Sequence, residues 1–358
     1  MLGMVLAVLW LAGGASRGDA AGQIFVRAIA FLALVGLALS GRRPTLADVR
    51  PVWFILGAAI VIALLQLFPL PVESWQALPG RDIVGSVPEP GLWRSLSIVP
   101  GATINALGAL VVPVAVLVAA TTLTPNEEAL LPGAVLILVT ASMLVGLLQF
   151  SGLVLDNPLI NDTPGVVSGT FANRNHFALF LALGCLVIPL WVFRDGHRSG
   201  WRGPAGFGLL LLFMLTILAT GSRAGMAVGA LAIGIAGALS WRGLRRELRH
   251  TPKWVLPAVI AAAVGILVAL VSVSVFADRA VSIQRSLSID VEQDMRSRAF
   301  PIVSGMTRTT FPVGAGLGSF DPVFRTHEPI DLLKPTYFNQ AHNDFLEILF
   351  GAGLPGGL

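Results

Sequence analysis

Three stretches of this 358-residue chain carry side chains whose types and places could do chemistry. In Ala219-Thr220-Gly221-Ser222-Arg223-Ala224-Gly225 an arginine sits in a tight turn between two apolar runs. Placing arginine within an apolar band costs about 2.5 to 3.5 kcal/mol on insertion scales. Arg223 is therefore expected to face a polar cavity or an anion, or else to snorkel from a helix end. The stretch Ser168 to Phe177 sets Asn173, Arg174, Asn175 and His176 at the start of another apolar run. His176 reads either as a substrate contact or as an interfacial or capping residue. The third stretch is the polar segment Asp278 to Gln340, followed at once by Ala341-His342-Asn343-Asp344-Phe345-Leu346-Glu347. His342 falls where an extended loop meets apolar surface. A partly desolvated imidazole stays neutral there and accepts a proton. The plainer alternative is a helix-start residue that bonds the backbone.

The elements that must position these residues are membrane helices. The chain is 55% apolar and 12% charged, with a mean hydropathy of +0.79, far more apolar and half as charged as a soluble domain. Its net charge of +4 is spread over short loops rather than gathered in one stripe, which argues against nucleic acid as a partner. Cys185 is the only cysteine, so neither an internal disulfide nor a thiolate metal site is possible. No closely spaced aspartate pair in the outer loops and no His-x-x-x-His suggests a metal, and no cofactor motif stands out. The glycines of Gly314 to Gly318 lack a flanking strand and crossover, so they read as a permissive turn rather than a nucleotide fingerprint.

Expected spans are Met1 to Ala12 (clipped or tilted, a signal peptide being the weaker reading), Ile24 to Leu39, Pro51 to Leu70, Thr103 to Thr121, Ala129 to Phe150, Asn175 to Arg194, Pro204 to Ala219, Ala224 to Trp241 and Trp254 to Phe276. A tenth begins near His342 and is cut short by the end of the chain. The fold expected is thus an all-α polytopic membrane protein of about ten or more transmembrane helices. Residues 1–276 are helices one to nine, 277–340 one large outer loop, and 341–358 the start of a further helix. Val72 to Ala102, with Trp75, Trp93, Arg81 and Arg94, reads as an ordered surface loop with interfacial tryptophans. In the long loop, Phe311, Phe320, Phe324, Tyr337 and Phe338 argue for a folded cap rather than a solvated tail. Arginine clusters at 42–50, 194–202 and 242–253 fall on one side, which the positive-inside rule makes the cytoplasm. The excursions at Val72 and Gly152 and the long loop then lie outside.

Five segments resemble the O-antigen ligase and polymerase superfamily of bacterial envelope glycosyltransferases. They are Gly169-Thr170-Phe171-Ala172-Asn173-Arg174-Asn175-His176, Thr220-Gly221-Ser222-Arg223, Arg296 with an aromatic four residues later, Pro312 to Phe320, and Ala341-His342-Asn343-Asp344-Phe345-Leu346. Phe300 stands where that family usually has Trp, and Gly351 where an acidic residue is common. The resemblance implies a GT-C-like fold in the bacterial inner membrane with its active site on the periplasmic side. It implies metal-independent, inverting transfer of a glycan from an undecaprenyl-diphosphate carrier to a hydroxyl of a glycan, lipid or protein acceptor. On that pattern His342 is the general base and Arg223, Arg296 and Arg174 hold the diphosphate. Asn173, Asn175, His176, Asn343 and Asp344 are possible substrate contacts. Diphosphate is a good leaving group, so arginines that neutralise its charge suffice without a strong general acid. A transporter or flippase without transferase activity is the alternative. It calls for polar residues at mid-span and paired broken helices in two related halves.

Overall fold

The computed structural model describes residues 1–18, 20–45, 49–82, 92–161, 165–194, 200–247, 254, 261, 265, 268, 291–333, 338 and 340–357. Side chains at 247, 291–296 and 331 fall outside that description. So do the ninth expected span, apart from four isolated positions, and the loop from Asp278 to Asp290 with Lys334 and Tyr337.

In chain order the elements are α1 (Leu2–Ala12), α2 (Ala21–Leu39), α3 (Arg50–Gln66), β1 (Pro69–Pro71), α4 (Val72–Gln76), β2 (Trp93–Ser95), α5 (Pro100–Ala109), α6 (Val111–Thr121), α7 (Pro125–Glu128), α8 (Leu131–Phe150), α9 (Arg174–Val192), α10 (Arg202–Ala219), α11 (Arg223–Glu247), α12 (Val291–Thr310), α13 (Phe320–His327), the 3-10 turn Ile330–Leu332, and α14 (Asp344–Gly357). Among the described residues six stretches are long and apolar enough to cross a membrane: Ala21–Leu39, Pro100–Thr121, Pro125–Phe150, Arg174–Val192, Arg202–Ala219 and Arg223–Arg246. They correspond to the expected second, fourth, fifth, sixth, seventh and eighth spans. The expected first and third appear as the shorter apolar helices α1 and α3. The chain is a mostly helical, multi-pass membrane protein.

Local chemistry explains most boundaries. Thr124 accepts from Glu127 N (3.4 Å) while Glu127 Oε2 accepts from Thr124 N (2.8 Å), a capping box that starts α7 with Pro125 in its first turn. The fourth expected span breaks into α5 and α6. Pro113 cannot donate to Ala109 and its ring crowds that carbonyl, so the ladder fails there.

Contacts divide the chain into two compact units, Met1–Arg43 with Val118–Gln284, and Pro44–Leu117 with Arg285–Leu358. In the first unit, half of the α9 stretch is buried, against 22–28% of the unit's other four candidate spans, which makes α9 its central helix. Phe177, Leu181, Cys185 and Ile188 of α9 pack with Val139 and Met143 of α8 and Phe213 and Ile217 of α10. The periphery is inverted relative to a soluble protein. On α2 the buried side are Gly22, Val26, Ala30, Ala33 and Leu37, while Phe31 and Leu39 are 57% and 83% exposed. Small residues inward and large apolar ones outward is the pattern of helices solvated by lipid. At one end of this unit the connection after α1 meets the excursion after α8. Asn161 Oδ1 accepts from Ser16 N (3.0 Å), and Gly14 O accepts from Ala172 N (2.9 Å). At the other end Arg42 pairs with Glu127 at 3.3 Å, joining two loops that the alternation of spans puts on one side.

The second unit is built around aromatic residues of the long polar stretch. Phe320 and Phe324 of α13 stack at 5.5 Å, Phe338 meets Phe324 at 5.1 Å, and Phe350 meets Phe320 edge-on at 6.0 Å. Ala299, Val303 and Met306 of α12 complete this core. Each buried ring contributes about 1.5 to 3 kcal/mol. Phe320, Phe324 and Phe338 are therefore anchors of a folded segment, as expected, whereas Phe311 is exposed.

Within the excursion Val72 to Ala102, read as an ordered surface loop with interfacial tryptophans, Trp93 is 65% exposed, as expected, but the stretch carries regular structure. β1 and β2 pair antiparallel, Pro69 opposite Ser95 and Pro71 opposite Trp93, with α4 between them. Trp75 is buried, not interfacial, with the guanidinium of Arg94 4.9 Å from its ring centroid. Arg81 is 3% exposed and donates to the carbonyls of Pro79 (3.1 Å), Gly314 (3.1 Å) and Leu96 (2.6 Å). Burial pulls its pKa down to about 10, still well above neutral, so it remains a cation.

Candidate functional site

The first-unit candidates gather where α9 and α11 begin. Gln149, at the end of α8, holds the approach: its Oε1 accepts from Ser168 N (3.0 Å) and Gly169 N (2.7 Å), and its Nε2 donates to Gly169 O (3.1 Å). Gly169 has φ +60°, and a Cβ there would stand 2.5 Å from the Phe177 ring, so only glycine fits this turn. Thr170 Oγ1 then bonds Ser142 Oγ at 2.7 Å. Asn173 caps α9, its side chain accepting from Asn175 N at 2.8 Å. Asn175 Oδ1 in turn accepts from Ser222 Oγ at 2.6 Å. Ser222 Oγ accepts from Gly225 N at 2.9 Å and so caps α11.

This chain of caps brings two helix N-termini together, and each begins with an arginine, Arg174 on α9 and Arg223 on α11. Arg174 reaches the turn between α10 and α11, its guanidinium 3.9 Å from where a Cβ on Gly221 would lie. Gly221 has φ +63°, and Gly225 is bare where the Ala178 methyl presses on it. Neither first turn holds an acidic residue. Two positive helix ends and two guanidinium groups make an anion-attracting surface. His176 is exposed on the first turn of α9. The side-chain oxygen of Asn173 is committed to capping α9 and that of Asn175 to the Ser222 hydroxyl, which leaves their NH2 groups as what they would offer a substrate.

His342, Asn343 and Asp344 lie in the second unit at the start of α14. Asn343 Oδ1 accepts from Leu346 N (3.2 Å) and Glu347 Oε2 from Ala341 N (3.1 Å), a reciprocal cap that fixes residues 341–344. Within that clamp His342 adopts φ +50°, the one described non-glycine residue with a positive φ. Left-handed backbone is uncommon outside glycine, and such residues cluster at functional sites. His342 is exposed, against the partial desolvation expected of it, and its ring meets the Phe338 ring edge-on, centroids 4.8 Å apart. Asp344 is exposed. Arg296 lies on α12, where the buried positions Ala299, Val303, Met306 and Thr310 mark the packed face. By helical spacing position 296 continues that face, while position 298 stands about 200° away from 296.

The glycine turn before α13 is a docking device. Gly314, Gly316 and Gly318 have φ of +83°, +111° and +76°. Ala315 N donates to Phe350 O (2.7 Å), Gly316 N to Gly351 O (3.0 Å), and Leu354 N to Pro312 O (2.9 Å). Gln66, buried at the end of α3, accepts from Leu317 N (2.8 Å) and donates to Gly351 O (2.7 Å). Gly353 breaks α14 with φ +62° and ψ −150°, because a side chain there would strike the carbonyls of Pro312 and Val313. Sequence reasoning missed Gln66 and Gln149, and it read Arg81 only as a charge of the excursion Val72 to Ala102. The signal was present in Gln66 and Gln149, each an uncharged hydrogen-bonding group closing a long apolar run. Among the described residues no group of His, Cys, Asp and Glu is arranged to hold a metal ion.

No curated protein matches the chain, and no solved structure does. Residues 207–358, which hold Arg223, Arg296 and His342, match the family described as O-antigen ligase.

Proposed function

We propose that this protein transfers a glycan from an undecaprenyl-diphosphate carrier to an acceptor hydroxyl during assembly of a bacterial envelope polysaccharide. The observation that carries the reading is the pairing of Arg174 and Arg223 on two helix N-termini tied by the Ser222–Asn175 hydrogen bond. That surface suits a diphosphate, whose charge grows as it leaves. The family match over 207–358 supports glycan transfer; Arg174 lies outside it and rests on the geometry alone.

In the proposed reaction the guanidinium groups of Arg223, Arg174 and Arg296 hold the diphosphate. His342 takes the proton of the acceptor hydroxyl as its oxygen bonds to the anomeric carbon. The bond from that carbon to the phosphate oxygen breaks with its electron pair, and undecaprenyl diphosphate leaves with inversion at the sugar. None of these steps calls for a metal. The chain would act in the inner membrane with this surface facing the periplasm, the side that the arginine clusters at 42–50, 194–202 and 242–253 do not occupy.

The test is transfer by the purified full chain in lipid nanodiscs, given a lipid-diphosphate glycan and an acceptor glycan. Wild type forms a new glycosidic bond and releases undecaprenyl diphosphate. His342→Gln keeps a hydrogen-bonding side chain but no base near neutral pH, so turnover falls by about 10² to 10⁴ fold while donor binding survives. Near-normal turnover in His342→Gln removes the base assignment. Movement of the lipid-linked glycan across a bilayer without a new glycosidic bond replaces the transferase reading with a transporter.

A further inference from the structure

At the opposite end of the helices that carry Arg174 and Arg223, the last turns of α9 and α11 enclose a cavity of about 440 Å³. Leu239, Arg242, Gly243 and Arg246 are spaced i, i+3, i+4 and i+7, so one face of α11 lines it, and Leu190 of α9 faces them with Phe193 and Arg194 just beyond that helix. No described lining residue is acidic. Gly243 permits the closeness of the two helices, since a Cβ there would meet the Phe193 ring at 2.5 Å. Arg242 and Arg246 are like charges one turn apart, an arrangement that disfavours the helix, and Arg194 adds a third positive group. The negative C-terminal end of α11 would favour cations anywhere around its last turn. It does not account for an apolar-floored cavity between them.

Two further features fix the surroundings. Leu190 and Leu239 are half exposed, so beside the arginines the cavity opens onto apolar surface of the kind that faces acyl chains. Trp201 and Trp241 are exposed at the same end, and Trp191 meets Trp201 edge-on at 5.4 Å with the Arg202 guanidinium 5.8 Å from the Trp191 ring centroid. Exposed tryptophans of this kind mark the depth of lipid headgroups.

We propose that this cavity binds an anionic glycerophospholipid, its phosphate held by Arg194, Arg242 and Arg246 and one acyl chain lying along Leu190 and Leu239. Guanidinium forks match phosphate oxygens, and basic pockets between membrane helices suit lipid headgroups. An occupant bridges α9 and α11, so it stabilises the same two helices whose other ends form the arginine pair.

Native mass spectrometry of the detergent-purified full chain tests this, with dioleoylphosphatidylglycerol titrated against dioleoylphosphatidylcholine. Wild type retains phosphatidylglycerol roughly tenfold better or more, and the double variant R242Q/R246Q loses about 10- to 30-fold of that affinity. R242K/R246K, which keeps the charge, retains most of it and shows that a loss is not a folding defect. Arg202→Gln, at the same end but outside the cavity, changes nothing. Equal retention of the two lipids overturns the proposal, as does an R242Q/R246Q variant that binds like wild type. Displacement of phosphatidylglycerol by millimolar inorganic phosphate makes the site one for free anions, which also overturns it.

Discussion

Ser222 donates its hydroxyl proton to Asn175 across 2.6 Å, and through that bond the starts of α11 and α9 are one object. The same hydroxyl accepts from Gly225 N, so a single oxygen both caps a helix and sets the spacing of two arginines.

Ser222→Ala removes both bonds in a buried place. The expected cost is about 1 to 3 kcal/mol, from a lost cap and an unpaired buried acceptor. Thermal unfolding in detergent reads the stability, and donor binding should weaken as Arg174 and Arg223 lose register. Unchanged donor affinity would show that the two arginines do not act as a pair.

His342 has a left-handed backbone that glycine adopts without strain. His342→Gly should therefore keep or raise the melting temperature while transfer falls by about 10² to 10⁴ fold. A protein equally stable and still active would assign the conformation to structure and leave the imidazole without a role.

Two arginines of α12 can be separated by register. Arg296→Ala is expected to abolish transfer and Arg298→Ala to be tolerated, because the two positions stand about 200° apart on a helix whose packed face runs through Ala299, Val303 and Met306. Turnover assays on both variants decide it. Equal loss would mean that both side chains serve the fold or both reach the donor by different routes.

Gln66→Leu leaves Leu317 N and Gly351 O without their shared partner in a buried position. A loss of about 1 to 3 kcal/mol is expected. Limited proteolysis should then cut first within residues 312–319, the turn that Gln66 holds. Cleavage elsewhere with that turn protected would show that Arg81, donating to Gly314 O, and Thr103, whose hydroxyl donates to Leu317 O at 3.0 Å, hold it without help.

Membrane helices were legible in the chain because a span is a local property: some twenty apolar residues suffice, whatever lies beside them. One cap was legible for the same reason. Thr124 acts on backbone three residues away and starts α7, whereas Asn173, expected as a substrate contact, caps α9 by the same short reach. The aromatic core of the long polar stretch was legible as composition, since Phe320, Phe324 and Phe338 have no place in a solvated tail. What only the tertiary structure decided are the pairings at distance. Arg81 resembles a loop charge until its guanidinium meets Gly314 O, 233 residues away, and Gln66 is an unremarkable helix end until Gly351 meets it across 285. The Ser222–Asn175 bond spans 47 residues and depends on which faces of α9 and α11 meet. Such meetings follow from the shapes of whole helices, Gly225 lying bare against Ala178 among them, and no window of sequence contains both partners. The left-handed turn at His342 is of the same kind, imposed by a clamp in which Glu347 and Asn343 leave the residues before α14 one conformation.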